Sequence, residues 1–445
     1  MTLSLTSRRA LLRAGLIAVP ALAVSACEGR TQQPQRTPEE ITYLTPFAGN
    51  PREKVLQPAI ETFRRSNPSI GVHYRPGSVD DWRVMLTLEG SQAPDVVHGY
   101  PSTTRILADA DVIRDLTDLV AKLPSNPAGS WWSVPDAHTY RERRYGLPFG
   151  TTQSAWIFNV QASAAAGVEP PAANQTIADL IEDAQRMTDV EAGRFGLFVG
   201  APLKSWAGLV VSAKSDVPRL LSGDGRESPL HDEDLRRDFE RILRLTTDSH
   251  VAPSIPELVS MITESVVTYV DRSGLSVLFH DGRVAMLPVS GTRAATAPTD
   301  GAWDFMPTPR HESSGAAWNW LDQSSTWVTA VAARRGVESV AVDFAAHLSG
   351  TEMSAARALD RTHTPDIRTF AESDDYLRSP PRSMSVVVDN THSGASLGYG
   401  PPVWPEWSHW LEAIWASVIR EDLGVETAFD ELQRVGRTVL AGHPA

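Results

Sequence analysis

Apolar and polar positions along this chain switch repeatedly between a period of two and a period near 3.6, and that switching predicts an α/β body. Ile41-Thr42-Tyr43-Leu44 reads as a short strand of β-branched and aromatic residues. Val55, Leu56, Ala59, Ile60 and Phe63 then fall on one helical stripe, which Asn67-Pro68 stops. Ile70–Tyr74 predicts a second strand, Asp81–Glu89 a helix and Asp95–His98 a third strand, with Ser102 placed to cap the helix that follows. The middle of the chain repeats the pattern. Thr176 caps a helix running to Met187, Phe195–Val199 is strand-like and His231–Leu245 is amphipathic. A brief helix at Leu275–Phe279 precedes strands at Val284–Val289, Trp303–Met306 and Thr326–Ala332, and helices follow at Val337–Leu348, Glu406–Ile419 and Thr427–Leu440. Strands alternating with helices imply βαβ units on a mostly parallel sheet.

Residues before 41 follow another logic. Arg8, Arg9 and Arg13 lead into the apolar run Ala14–Val24, which is too short to span a bilayer and has the form of an export signal. Cys27, the single cysteine of the chain, closes Val24-Ser25-Ala26-Cys27 and so resembles a bacterial lipobox, whose thiol receives a diacylglycerol. The competing readings are a signal peptide with a coincidental cysteine, or a buried thiol acting as a small hydrophobe. Residues 1–26 are thus expected to be a signal peptide and 27–40 a lipidated flexible tether, since 28–40 carry no aliphatic or aromatic side chain. Ser7-Arg8-Arg9 also resembles a twin-arginine signal, so the general and the twin-arginine export routes both stay open.

Charge and length narrow the classes. The formal net charge of -13 becomes -16 once three arginines leave with residues 1–26, which opposes nucleic acid and anionic lipid as partners. The 419 residues that remain exceed what one core usually supports, so two lobes are expected. After Cys27 no run of eighteen apolar residues occurs, and no second cysteine exists to form a disulfide within the chain. Catalytic signatures fail to appear: no Gly-x-Ser-x-Gly elbow, no His-Glu-x-x-His and no phosphate loop. The twelve histidines are scattered, and Asp80-Asp81 and Asp374-Asp375 are adjacent pairs typical of solvated turns. No catalytic residue, metal site or cofactor is expected. Asp95 reads as structural, and Arg141-Glu142-Arg143-Arg144 as a solvated loop.

Six fragments in one order resemble the extracellular solute-binding proteins of bacterial ABC importers, the maltose-binding-like group in particular. They are Ile41-Thr42-Tyr43 with its helix to Asn67-Pro68, Ala93-Pro94-Asp95-Val96-Val97, and Tyr145-Gly146-Leu147-Pro148 with Trp156-Ile157-Phe158-Asn159. Phe279-His280-Asp281-Gly282-Arg283-Val284-Ala285-Met286, Trp303-Asp304-Phe305 with Pro307, and Pro401-Pro402 with Trp404 complete the set. One stretch departs from the family pattern. Where a double glycine is usual, Trp320-Leu321-Asp322-Gln323-Ser324-Ser325 brings polar side chains. The resemblance implies an α/β, two-lobed periplasmic-binding-protein-like fold with hinge-crossing strands and a ligand cleft. It places 41–150 plus 288–357 in an N-terminal lobe and 151–287 plus 358–445 in a C-terminal lobe.

With the family in view, thirteen tryptophans become informative, because sugar C–H faces lie flat on indoles and hydroxyls seek planar amides or carboxylates. Most of the thirteen are expected in the core, Trp303, Trp410 and Trp415 among them. Trp82, Trp206, Trp318, Trp320 and Trp404 fall at predicted element ends and are candidate ligand platforms, with Asp322 and Gln323 beside them in a loop. Asn50, Tyr100, Thr151 and Gln153 are the polar candidates, although Asn50 and Thr151 are equally suited to capping. The resemblance implies a monomeric, lipid-anchored, extracytoplasmic receptor that hands a mono- or oligosaccharide to the membrane subunits of an importer. A polyamine, peptide or chelate as ligand, and a secreted carbohydrate-active enzyme, are the alternatives.

Overall fold

The computed structural model describes residues 40–48, 53–77, 93–100, 103–122, 138–199, 203–212, 232–254, 282–291, 302–361, 363–378, 380–393 and 404–441, with short pieces at 228, 256–257, 279 and 395–396. The signal, Cys27 and the tether up to residue 39, the predicted helix 81–89, Ser102, and most of 275–279 lie outside these residues, as do Asn50 and Trp82, while Glu40, expected in the tether, opens the first strand.

Eleven strands are described. β1 (Glu40–Thr45), β2 (Gly71–Pro76) and β3 (Val96–Gly99) lie in the first hundred residues; β4 (Thr139–Tyr140) and β5 (Arg143–Arg144) form a separate hairpin. β6 (Gly146–Asn159), β7 (Phe195–Leu197), β8 (Val284–Ser290), β9 (Trp303–Met306), β10 (Trp320–Val328) and β11 (Ala395–Ser396) follow. The principal sheet runs β2-β1-β3-β10-β6-β8-β7, with β11 beside β10 and β9 beside β6. Pairing is parallel at β1–β2, β1–β3, β7–β8 and β10–β11, but antiparallel wherever β6 or β10 meets β3, β8, β9 or each other. The expected mostly parallel sheet is therefore mixed. Its middle is antiparallel because β10 returns from late in the chain against the direction of β3 and β6.

The principal helices are α1 (Glu53–Ser66), α2 (Ile177–Met187), α3 (Leu203–Val211), α4 (Glu233–Thr247), α5 (Glu338–Leu348), α6 (Thr351–Asp360), α7 (Ser385–Ser393), α8 (Trp404–Ile419) and α9 (Val425–Ala441). Their local chemistry is as read. Val55, Leu56, Ala59, Ile60 and Phe63 are the buried stripe of α1. Thr176 and Asp179 close a reciprocal capping box at α2, and Asp232 caps α4 through the N–H groups of Asp234 and Leu235.

Apolar packing separates along the sheet. Tyr43, Phe47, Phe63, Phe149 and Phe344 belong to one cluster, and Leu44, Val97 and Trp327 to another on the same half. Trp156, Trp206, Phe239, Trp318, Trp320 and Trp415 form the largest cluster of the other half, with Ala155, Ile157, Phe195, Trp303 and Phe305 in a further one. β6 spans both halves. Gly146–Gln153 lies against β10, while Ser154–Phe158 pairs with β8 and Trp156–Asn159 with β9. Trp303 and Phe305 pack in the same cluster as Ala155 and Ile157.

Two local expectations are corrected. The strand placed at Thr326 begins at Trp320, and Ala330–Arg334 is a short helix. Asp322, Gln323, Ser324 and Ser325 look like a loop in sequence but form the body of a strand, in which partners far away in the chain satisfy the side-chain polar atoms of Gln323, Ser324 and Ser325. Arg141 and Glu142 lie at the turn of the β4–β5 hairpin, both with positive φ.

Candidate functional site

β6 and β10 cross side by side, with Asp322 opposite Thr152, Gln323 opposite Thr151 and Leu321 opposite Gln153. Successive side chains in a strand face opposite ways, so these pairs sort onto two faces of the crossing. One face is covered. Thr151 and Gln153 have no solvent-accessible surface, and Gln323 has almost none. Gln323 Nε2 donates to Thr151 Oγ1 (3.2 Å) and to Asp366 Oδ1 (3.3 Å), and its Oε1 lies 2.8 Å from His138 Nε2. Gln153 accepts from Thr364 Oγ1 (3.1 Å) and donates to the Val387 carbonyl (3.3 Å). These three candidates are held by protein groups on the closed side.

The other face is open. Thr152 and Asp322, in register with one another, are the half-buried pair at the crossing. Thr152 Oγ1 donates to the Asp322 carbonyl (3.1 Å). Asp322 Oδ1 is buried and has no hydrogen-bond partner among the described residues, which is costly for a carboxylate oxygen. Thr152 escaped the sequence reading, although its parity with Thr151 and Gln153 held the signal.

On this same side stand the tryptophans. Trp320 opens β10 two residues from Asp322, and its backbone N–H donates to Ser154 Oγ (3.0 Å). Between Trp318 and Trp320, buried Asn319 accepts from Ser154 Oγ (3.3 Å) and Thr308 Oγ1 (2.5 Å) and donates to Asn390 Oδ1 (3.1 Å) and Ser393 Oγ (3.4 Å). It fixes the chain between the two indoles. Trp318 lies hard against α3: a Cβ on Gly208 would come 1.9 Å from its ring carbons. Trp206, expected at an element end, sits inside α3, fully buried, with its ring edge-on to Trp156 at 5.0 Å. The Nε1 atoms of Trp206 and Trp318 are both buried without an acceptor among the described residues. Packing therefore brings Trp206, Trp318 and Trp320 together, as core in this conformation.

Tyr100 follows β3, half-buried and edge-on to His98 at 5.6 Å, in an aromatic group that includes Phe47 and Phe149. Burial and the nearby Arg357 charge push the His98 imidazole down to about 3. Trp404 is the first residue of α8, at the helix entry expected from the sequence; its side chain lies outside the described set. Asp95 is structural as read: buried, it accepts from the Thr42 N–H (2.9 Å) and pairs with Arg335. No cluster of His, Cys, Asp and Glu among the described residues has the arrangement of a metal site.

Comparison with solved structures places this fold among two-lobed binding proteins. An ABC substrate-binding protein from Listeria monocytogenes in complex with cycloalternan superposes with a TM-score of 0.75 at 20% identity, over 90% of this chain and 99% of that one. The maltose/maltodextrin-binding domain from Bdellovibrio bacteriovorus bound to maltotriose gives 0.68 at 17%, over 91% and 99%. The GacH receptor of Streptomyces glaucescens, solved unliganded and with acarbose, gives 0.71 at 14%, over 91% and 99%. A curated relative, an uncharacterized lipoprotein in the oleD 5′ region of Streptomyces antibioticus, is 29% identical over 261 residues, 55% of this chain and 53% of the relative. The chain thus aligns to about half the length of that relative. The family model for bacterial extracellular solute-binding proteins matches residues 48–348, well over half of the sequence. The chain belongs to the bacterial extracellular solute-binding protein family.

Proposed function

We propose that this chain is the receptor of an ABC importer, tethered by lipid at Cys27, which captures a mono- or oligosaccharide between its lobes and delivers it to the membrane subunits. The supporting observation is the open face of the crossing. There the Asp322 carboxylate, with a buried oxygen that lacks a partner among the described residues, adjoins the strand end bearing Trp318 and Trp320. Hydroxyls want such an acceptor, and sugar C–H faces want indole surface. The structural neighbours named above were solved with cycloalternan, maltotriose and acarbose. Within this reading the receptor acts as a monomer, with lobes bounded near the β6–β10 crossing. Solute contacting both lobes shifts an open–closed equilibrium by its differential affinity. The lipid tether raises the receptor's local concentration at its transporter.

A cationic solute such as a polyamine is a second reading, favoured by that same carboxylate among aromatic rings. Thermal unfolding of the protein with maltotriose, acarbose, a monosaccharide set, spermidine and a tripeptide separates the two, since a ligand of the folded state raises the melting temperature. A shift with sugars that Asp322→Asn abolishes supports the first reading. A shift with spermidine alone replaces it with the second, and a shift with none of the sugars rejects sugar capture.

A further inference from the structure

The covered face of the crossing has its own construction. At one level both long strands are irregular: Gly150 in β6 has φ +156°, and the β6–β10 register shifts between Ser324 and Ser325. A side chain at 150 would be strained in that backbone conformation and would also meet the His363 ring at 2.9 Å. Arg357, His363, Thr364 and Asp366 press on this level. Thr364 exchanges backbone hydrogen bonds with Thr151 (3.0 and 3.2 Å), and its hydroxyl reaches Gln153 of β6 (3.1 Å) and Tyr376 (2.9 Å), a residue packed in the cluster of the far half. Arg357 stacks over Phe149 (4.7 Å) on the near half. Its Nη1 meets Asp366 Oδ2 at 2.5 Å, and Asp366 Oδ1 accepts from Thr151 and Gln323.

Arg357 and Asp366 are both at least 99% buried. Burial pushes the Asp366 carboxyl up and the Arg357 guanidinium down, and each charge offsets part of that for the other. A well-packed apolar pair is often as stable as such an ion pair, so its presence is poorly accounted for by stability. Directional bonds to both strands at their shared irregularity give it another use.

We propose that Arg357 and Asp366 are positioning residues that set the angle at which β6 and β10 pass between the lobes, holding the ligand-free chain at its resting geometry. This rests on the lobe closure proposed above. The pair acts through Thr151, Gln323 and Phe149, on the side away from Asp322. Solute binding therefore works against a fixed starting angle, and loosening the pair loosens the pivot without touching the ligand face.

The test is Arg357→Met with Asp366→Leu in the full chain, by hydrogen exchange without ligand, with X-ray scattering in parallel. The melting temperature stays within a few degrees of wild type. Amides of 148–155 and 321–327 exchange at least tenfold faster, those of α1 and α4 are unchanged, and the mean radius of gyration shifts. Arg357→Lys restores most of the pivot protection. If pivot exchange matches wild type in the folded variant, or α1 and α4 accelerate equally, the pair is ordinary core and the proposal fails. Should the double variant not fold, Thr151→Val with Gln323→Leu removes the neutral donors to Asp366, spares the ion pair and is judged by the same readings. No sugar enters the measurement, so its failure leaves sugar capture standing, and a failed sugar panel leaves the pivot standing.

Discussion

Acidification from pH 7 to 5 removes about 4 kcal/mol of folding stability through two buried imidazoles, His98 and His138, by the linkage between proton uptake and unfolding. His98 is enclosed by Phe47, Tyr100 and Phe149, and burial holds its pKa at about 3. Burial and the Arg144 charge lower His138 to about 4, against the opposing hydrogen bond with Gln323. Both rings titrate near 6.5 once the chain is unfolded. The native state therefore refuses protons that the unfolded state accepts. Their contribution is fully present above pH 6.5 and is lost as pH falls towards 4 for His138 and 3 for His98. At pH 5 each costs roughly 2 kcal/mol. Urea unfolding at pH 7, 6 and 5, followed by tryptophan fluorescence, measures the loss, and an unchanged slope against urea shows that the same two states are compared. His138→Gln should be less stable at pH 7, because it gives up the 2.7 Å contact with Ser325, yet lose stability with acid about half as steeply. Equal stability at pH 7 and 5, or a variant as steep as wild type, would refute the burial argument.

Other substitutions probe the packing around the candidate site. Trp206→Ala should cost about 3–5 kcal/mol in chemical denaturation, as expected for a fully buried indole packed on Trp156; a loss below about 1 kcal/mol would show that the ring is not core in solution. Gly208→Ala drives a methyl into the Trp318 ring, so a loss of about 1–3 kcal/mol with altered tryptophan emission is expected. Arg335→Met removes the guanidinium paired with the buried Asp95 carboxylate, and about 3–5 kcal/mol should be lost at pH 7. Thr176→Ala breaks the α2 capping box and should cost about 1 kcal/mol, measured in the same urea titrations.

Much of the fold was legible because its signals are local. Helical spacing in 55–63, the cap at Thr176 and the stop at Asn67-Pro68 each depend on residues within one turn. Strand β10 was half missed for the opposite reason. A polar run such as Asp322-Gln323-Ser324-Ser325 reads as a loop unless His138, Thr151 and Asp366 are known to lie beside it, and the nearest of these is 43 residues away. The candidate site divides the same way. Residue types were readable: tryptophans, Asp322 and amides suited to hydroxyl ligands. Thr152 was not singled out, because its value depends on which face is open.

The sequence by itself determined the class of protein, the helices and the residue types at the crossing, since periodicity and caps act over a few residues. Tertiary structure alone decided that Thr151, Gln153 and Gln323 face inward while Thr152 and Asp322 reach solvent. Strand parity separates these residues into two sets but carries no sign. The sign came from Arg357, Thr364 and Asp366, more than 200 positions along from Thr151, folding back to cover one side of β6 and β10 and leaving the other open.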